Sequence, residues 1–220
     1  MHLNPETLQT LRLLAEKEYE SMRQIRRRLH QHPELSGHER WTANLIASQC
    51  ECLGLKVKRN LGGYGLIADL VTDRAKPTVA LRLDMDALPI QEVNDVSYRS
   101  QVNGVMHACG HDVHSAIGIG TAAILSQMAD SLPGNIRFIF QPEEEEITGA
   151  LRMIRAGALA NPTPIAIFGL HVAPFLAGKV GWTDDLFLAG FDHYLARLLP
   201  QPGFEILPNH LESIAKRCCQ

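Results

Sequence analysis

The chain has 220 residues and a formal net charge of −3 at pH 7. Apolar residues make up 45% of it and charged residues 20%, which is ordinary globular usage and excludes extended disorder. The weakly acidic charge provides no basic field for nucleic acid, and no apolar run reaches the roughly 18 residues needed to cross a bilayer.

Helices are predicted at the start of the chain. Apolar residues recur at helical spacing over residues 6–30, and Pro33 follows the end of that stretch. Ser36 and Glu39 form a capping-box pattern, which predicts a second helix from there to about Leu53. The chain then turns to shorter, strand-like segments.

Strands and helices alternate over the next hundred residues. A hairpin is predicted around Gly62-Gly63; a phosphate loop is disfavoured there because no Lys-Ser/Thr pair follows. The later alternation predicts an α/β layered sheet with parallel pairing. The predicted strands are 56–60, 64–71, 78–83, 136–140 and 165–170, and the predicted helices are 115–129 and 148–156.

Polar side chains follow three of these predicted strands. Asp84 and Asp86 come directly after one, Glu143–Glu146 after the next, and His171 after the last. In parallel sheets, sites lie in the crevice beyond the carboxyl ends of the strands. A functional site is therefore expected at this edge.

The segment Met106–His114 contains three histidines, a cysteine and an aspartate within nine residues. A single histidine would more often be a satisfied core or surface residue, and Cys109 alone a small buried hydrophobe. Imidazole and thiolate are the usual ligands of zinc-like ions, however, and His111 follows Cys109 by two residues. The segment predicts a metal site at the mouth of a buried helix.

The four consecutive glutamates of Glu143–Glu146 have two interpretations. Such a run is usually a solvated, self-repelling face. Here it follows a strand, where like charges favour a compensating cation. One carboxylate could then bind the metal, and its neighbour could act as general base toward a water whose pKa the metal lowers to about 7.

Five segments occur in a fixed order between about residues 20 and 175. They are Arg28–Ser36, Asp84–Glu92, Met106–His114, Phe140–Glu145 and Gly169–His171. Together they resemble the aminoacylase and carboxypeptidase-type metallopeptidases. The resemblance is closest to the N-acyl-amino-acid amidohydrolase branch, which includes hippurate hydrolase and the indoleacetyl-amino-acid hydrolases of plants.

The resemblance implies a two-metal site. Cys109, His111, Glu145 and His171 match metal ligands of the family. The implied cofactors are two divalent ions, foremost zinc or manganese, with cobalt or nickel also compatible with these ligands. The ions would activate a water molecule for amide hydrolysis.

The resemblance also implies roles for residues beside the metals. Glu144 matches the general base, and Asp86 matches an aspartate expected to orient a ligand. His114 is a weaker candidate for a supporting position, and no role transfers to His107. His30 lacks metal-ligand spacing, which favours a structural role.

The implied fold is a three-layer α/β/α zinc-exopeptidase-like catalytic domain, of which residues 1–185 form the N-terminal part. The start of an α+β lid and dimerisation domain is expected at residues 186–220, with its first strand at 191–199 and a helix at 209–220. The implied substrate is a small N-acyl amino acid, a related amide or a peptide, and a homodimer through the lid is an expectation from the family. Nucleic-acid and membrane partners are not expected.

The chain departs from the family pattern in two respects. The family supplies one more histidine ligand after the lid, which these 220 residues lack, and Glu143 replaces a residue that is usually small. Two hypotheses remain. The chain is an amidohydrolase that is whole in a longer form or with a partner, or it is a non-catalytic truncated fragment that retains part of a metal site.

The number and spacing of the cysteines indicate the cellular compartment. Five cysteines are an odd number without regular spacing, which favours a reducing cytoplasm over a disulfide framework. The first residues lack the basic start and apolar core of a signal peptide. A cytoplasmic location is therefore expected.

Overall fold

A five-stranded mixed sheet lies at the centre of the computed structural model, which describes residues 4–73, 75–173 and 178–181. The strands are β1 (Lys56–Lys58), β2 (Leu66–Leu70), β3 (Thr78–Asp84), β4 (Asn135–Gln141) and β5 (Ala166–Gly169). Their order across the sheet is β1-β2-β4-β3-β5. β3 pairs in parallel with β4 and β5, and β2 pairs antiparallel with β1 and β4. The predicted parallel pairing and the β1–β2 hairpin are confirmed.

Four α-helices accompany this sheet in the described residues. They are α1 (Pro5–Gln31), α2 (Arg40–Cys52), α3 (His111–Gln127) and α4 (Gly149–Arg155), with a short 3-10 helix at Ala129–Ser131. None of the described helices has both the length and the apolar character of a membrane span. Contacts between Cα atoms divide the chain into residues 1–174 and 175–220, and all of these elements lie in the first unit.

The alternation of side chains along the strands produces two cores. Leu66 and Ala68 of β2 pack in a cluster with apolar residues of α2 and α3. Ile67, between them, packs instead with Ile139 of β4 and Met153 of α4. Because successive strand residues point to opposite faces, helices cover both sides of the sheet. The predicted three-layer α/β/α architecture is thus confirmed.

The predicted capping box of the second helix is wrong. Glu39 makes no cap bond within α2, and its Oε1 instead accepts the backbone N–H of Glu143 at 2.9 Å. The first turn of α2 is satisfied by Glu34, which accepts the backbone N–H groups of Trp41 at 3.0 Å and Thr42 at 2.8 Å. The local spacing of Ser36 and Glu39 does not reveal these partners.

Helix α3 begins earlier than predicted. It starts at His111 rather than Ser115, after Gly110 with φ of 85°. His111 therefore lies in the first turn of the helix, and Cys109 lies just before it, outside the helix. The expected lid elements at 191–199 and 209–220, and the expected boundary at 185/186, lie outside the described residues.

A buried arginine joins the sheet to the loop that follows α4. Arg137 of β4 donates to both carboxylate oxygens of Asp69 on β2, at 2.8 and 2.9 Å. Its remaining Nη1 donates to the carbonyls of Ala158 and Ala160, each at 2.9 Å. The guanidinium is almost fully buried, as is its bond to the carbonyl of Ala158, whereas the side chain of Asp69 is 20% exposed.

We expect Arg137→Met to lower the free energy of unfolding by about 3–5 kcal/mol, because it strands Asp69 and buried carbonyls without a partner. Arg59→Met is the matched control. Arg59 binds Glu51 with similar distances, but both side chains are substantially exposed, so its loss should cost under about 1 kcal/mol. Urea denaturation of the two variants measures the difference. Equal losses would contradict the role given to Arg137.

Candidate metal centre

The imidazole of His111 lies at the centre of the site, and its side chain is fully buried. Nδ1 lies 3.1 Å from Oδ1 of Asp86. Nε2 has no hydrogen-bond partner among the described residues. It lies 3.7 Å from Asp84, 3.6 Å from Glu144 and 3.8 Å from Glu145, measured to their carboxylate oxygens. A buried unpaired nitrogen facing carboxylates, with its other nitrogen held by a carboxylate, is typical of a metal-binding histidine.

Potential ligand atoms converge on this imidazole from several elements. Three sets of such atoms lie within 4.8 Å of one another, and His111 belongs to each. The other members are Cys109 and His171 in one set, Glu144 and Glu145 in another, and Asp84 and His114 in the third. The structure therefore brings together all four residues predicted as ligands and the predicted base.

A thiol and a second imidazole face each other at the more exposed side of the site. Sγ of Cys109 lies 3.4 Å from Nε2 of His171. Nδ1 of His171 lies 2.6 Å from the carbonyl oxygen of Val172, which only accepts, so Nδ1 carries the proton. Nε2 of His171 therefore presents its lone pair beside Cys109. A thiolate and an imidazole so placed form a suitable donor pair for a divalent metal.

Asp86 connects two of the predicted ligands. Its carboxylate accepts from Nδ1 of His111, from the hydroxyl of Ser36 at 2.7 Å and from the backbone N–H of Glu145 at 3.0 Å. Burial raises the pKa of Asp86, but the hydrogen bonds from His111 and Ser36 outweigh it and the net pKa is lowered. An ionised Asp86 therefore fixes the ring of His111 and the backbone of Glu145 together.

The third set does not offer a free histidine. Nδ1 of His114 lies 2.6 Å from Oδ1 of Asp84, and its Nε2 accepts the backbone N–H of Val172 at 2.9 Å. Both ring nitrogens are therefore occupied within the protein. Burial raises the pKa of Asp84, but His114 and the charges of His111 and Arg82 lower it to about 2. Sequence reasoning placed Asp84 at this edge without assigning it a role.

The carboxylates around His111 make a positive charge favourable at this site. Burial lowers the pKa of His111, yet the bond with Asp86 and the anionic neighbours raise it to about 11. Without a metal, His111 is therefore protonated at neutral pH, and a divalent ion at Nε2 would replace that proton with a larger positive charge. Oε1 of Glu145 is also buried and has no partner among the described residues, so the donor set fits a metal. Burial raises the pKa of Glu144, the predicted base.

Glu143, the charge that departs from the family pattern, is neutralised away from the base. Its carboxylate pairs with the guanidinium of Arg152 and accepts the hydroxyl of Thr148 at 2.6 Å. Its backbone has φ of 50° and donates to Glu39. Glu143 therefore stabilises the turn that presents Glu144 instead of adding a free charge beside it.

A buried polar network lies behind the site and involves a histidine that was expected to be structural. Nδ1 of His30 lies 2.8 Å from Asp112, and its Nε2 lies 3.1 Å from Glu92. Asp112 follows His111 directly on α3, so this network ties α1 to the first turn of α3. His107 is buried nearby, neither of its ring nitrogens has a hydrogen-bond partner among the described residues, and burial lowers its pKa to about 4.

Zinc should stabilise the folded chain through this site, by about 2.7 kcal/mol when free zinc is 100 times its dissociation constant. We expect Cys109→Ala to remove most of the zinc-induced rise in unfolding temperature, because it deletes the thiolate ligand. Cys52→Ala is the control, since Cys52 is an exposed free cysteine outside the site. Thermal unfolding with and without zinc measures the effect. Equal rises in the two variants would contradict the assignment of Cys109.

Comparisons with known proteins agree with this geometry. Residues 80–185 match the model of Peptidase family M20/M25/M40. The chain is 39% identical over 198 residues to IAA-amino acid hydrolase ILR1-like 5 of Arabidopsis thaliana, covering 89% of this chain and 45% of that protein. It is 40% identical over 192 residues to the N-acetylcysteine deacetylase of Bacillus subtilis, covering 84% of this chain and 49% of that protein.

A solved structure shares the fold as well. The YXEP protein of Bacillus subtilis, described as a dinuclear metal binding peptidase from the M20 family, matches with a TM-score of 0.68 and 41% sequence identity. The match covers 72% of this chain and 44% of that chain. The chain spans just under half the length of these relatives. In its sequence, its fold and the order of its motifs, the chain is similar to members of peptidase family M20/M25/M40, whose model it matches over residues 80–185.

Proposed function

We propose that this chain forms the metal-binding part of an amidohydrolase that cleaves N-acyl amino acids or related small amides and peptides. One observation carries the proposal. The unpaired Nε2 of His111 faces the carboxylates of Glu144 and Glu145, and His111 also shares a set of potential ligand atoms with Cys109 and His171. Relatives named as an IAA-amino acid hydrolase and an N-acetylcysteine deacetylase support an N-acylated amino acid as the substrate.

Two divalent ions are proposed as the cofactors. Cys109, His111, Glu145 and His171 would hold them, and the dinuclear description of the YXEP protein supports that number. Thiolate, imidazole and carboxylate together suit zinc or manganese, and also cobalt or nickel. When bound, the ions would polarise the amide carbonyl and acidify the attacking water.

Glu144 is the proposed general base. Its side chain is 35% exposed, so it borders both the buried carboxylates and the solvent. Its carboxylate makes no side-chain hydrogen bond within the described part of the chain, and burial raises its pKa toward the range useful for proton transfer at neutral pH. Glu144 would accept a proton from the attacking water and return one to the leaving amine. Asp86 would act indirectly, by holding His111 and the backbone of Glu145.

The proposal extends to the rest of the protein and to its location. A lid beginning near residue 186, a homodimer through it and a cytoplasmic location extend the sequence expectations. Cys50, Cys52 and Cys109 form no disulfide with one another in the described part of the chain, which agrees with a reducing compartment.

We expect Glu144→Gln to retain metal but to lower the rate of hydrolysis by about 10²–10⁴-fold, since the amide cannot take up the proton. Glu146→Gln is the matched control, because Glu146 is an exposed neighbour in the same run. Turnover of N-acetyl, N-benzoyl and indoleacetyl amino acids, with metal content from elemental analysis, measures both quantities.

The result also separates the two hypotheses for the chain. Hydrolysis at the parent rate by Glu144→Gln would contradict the proposed mechanism. No turnover by the parent chain with full metal content would favour the non-catalytic fragment.

A further inference from the structure

His114 is a buried histidine that the proposed chemistry does not use. Its side chain has no exposed surface, and its ring lies 5.4 Å from that of His111, centroid to centroid. A carboxylate accepts and a backbone amide donates. The contacts with Asp84 and Val172 therefore place the proton of His114 on Nδ1 and its lone pair on Nε2.

His114 thus bridges Asp84 and Val172. The Asp84 end of this bridge is held by several bonds at the carboxyl end of β3. Oδ1 of Asp84 binds His114 at 2.6 Å, and Oδ2 binds Arg82 at 2.6 Å. The carbonyl oxygen of Asp84 accepts the hydroxyl of Ser115 at 2.9 Å. Arg82 also donates to Gln141, at the end of β4, at 2.8 Å. Asp84 is therefore a fixed anchor tied to two strands and to α3.

Val172, at the other end of the bridge, lies beyond the last residue of β5 that pairs with β3. Pairing between β3 and β5 ends at Gly169, and residues 170–173 have no regular secondary structure. The N–H of Val172 finds its acceptor in Nε2 of His114 instead. The carbonyl oxygen of Val172 accepts a hydrogen bond from Nδ1 of His171 at 2.6 Å. Val172 thus connects His114 with the ring of His171.

Close packing fixes Val172 in the same place. A Cβ on Gly110 would collide with the side chain of Val172, and the φ of 85° at Gly110 also disfavours any other residue. The start of α3 and the segment after β5 therefore meet in direct contact.

We infer that His114 is a positioning residue for His171. It holds the amide of Val172, so that the carbonyl of Val172 fixes the ring of His171 with Nε2 toward Cys109. This inference rests on the proposed function, in which His171 is a metal ligand. The order of the chain of contacts is Asp84, His114, Val172, His171.

Two substitutions of His114 separate its bond to Val172 from its bond to Asp84. In His114→Gln, the side-chain amide oxygen can reach the position of Nε2 and accept from Val172. In His114→Asn, the shorter amide can reach the position of Nδ1 and donate to Asp84, but it leaves Val172 without an acceptor. If His114 acts through Val172, the Gln variant is rescued and the Asn variant is not.

The first readout uses metal-free, nitrogen-15-labelled protein. We expect a scalar coupling across the hydrogen bond between the amide nitrogen of Val172 and Nε2 of His114 in the parent chain. We also expect the neutral ring of His171 to keep its proton on Nδ1 in the parent and in His114→Gln, and to mix tautomers in His114→Asn. Absence of the coupling, or an unchanged His171 tautomer in His114→Asn, would overturn the inference.

The second readout is cobalt(II) binding, followed by the absorption of the cobalt–thiolate bond. We expect His114→Asn to weaken cobalt affinity by about 10–100-fold and His114→Gln to stay close to the parent. Equal affinities in all three would overturn the inference. If the parent binds no cobalt, the proposed function fails, whereas the metal-free measurements still decide the role of His114. If a variant fails to fold, the coupling and tautomer of the parent remain decisive.

Discussion

The hydrogen bond between Asp86 and Nδ1 of His111 is the interaction on which the site depends. By accepting from Nδ1, the carboxylate holds the ring so that Nε2 faces Glu144 and Glu145 inside a buried, anionic pocket. The same carboxylate holds the backbone of Glu145 and the hydroxyl of Ser36. Without it, the buried imidazole could rotate or change tautomer, and the spatial relation of His111 to Glu145 would be lost.

The sheet brings the remaining groups to this imidazole. β3, β4 and β5 run parallel, so their carboxyl ends lie at one edge, where they deliver Asp86, Glu144 and His171. The first turn of α3 adds His111 from the facing layer. The proximity of these groups is therefore a consequence of topology, although they are distant in sequence. A cation is the common requirement of the carboxylates that meet there.

Sequence reasoning identified what depends on residue type and on strand order. The β–α alternation and the polar residues after three strands predicted a parallel sheet with a site at one edge. The family resemblance then implied Cys109, His111, Glu145 and His171 as ligands, and the structure brings them around His111. Sequence reasoning failed where a partner lies far along the chain. Glu39 looked like a local helix cap, yet it binds the backbone of Glu143, about a hundred residues away. Glu143 looked like a charge beside the base, yet Arg152 neutralises it. The two contacts of His114 likewise come from distant segments, one from β3 and the other from the residues after β5.

Zinc K-edge absorption of the zinc-loaded chain tests the central claim most directly, since it reports the atoms around the ion. The account predicts a sulfur neighbour at about 2.3 Å together with imidazole scattering, and it predicts that the sulfur shell disappears in Cys109→Ala. A shell of oxygen and nitrogen alone in the parent chain, or a sulfur shell that persists in Cys109→Ala, would contradict a metal centre built around His111 and Cys109.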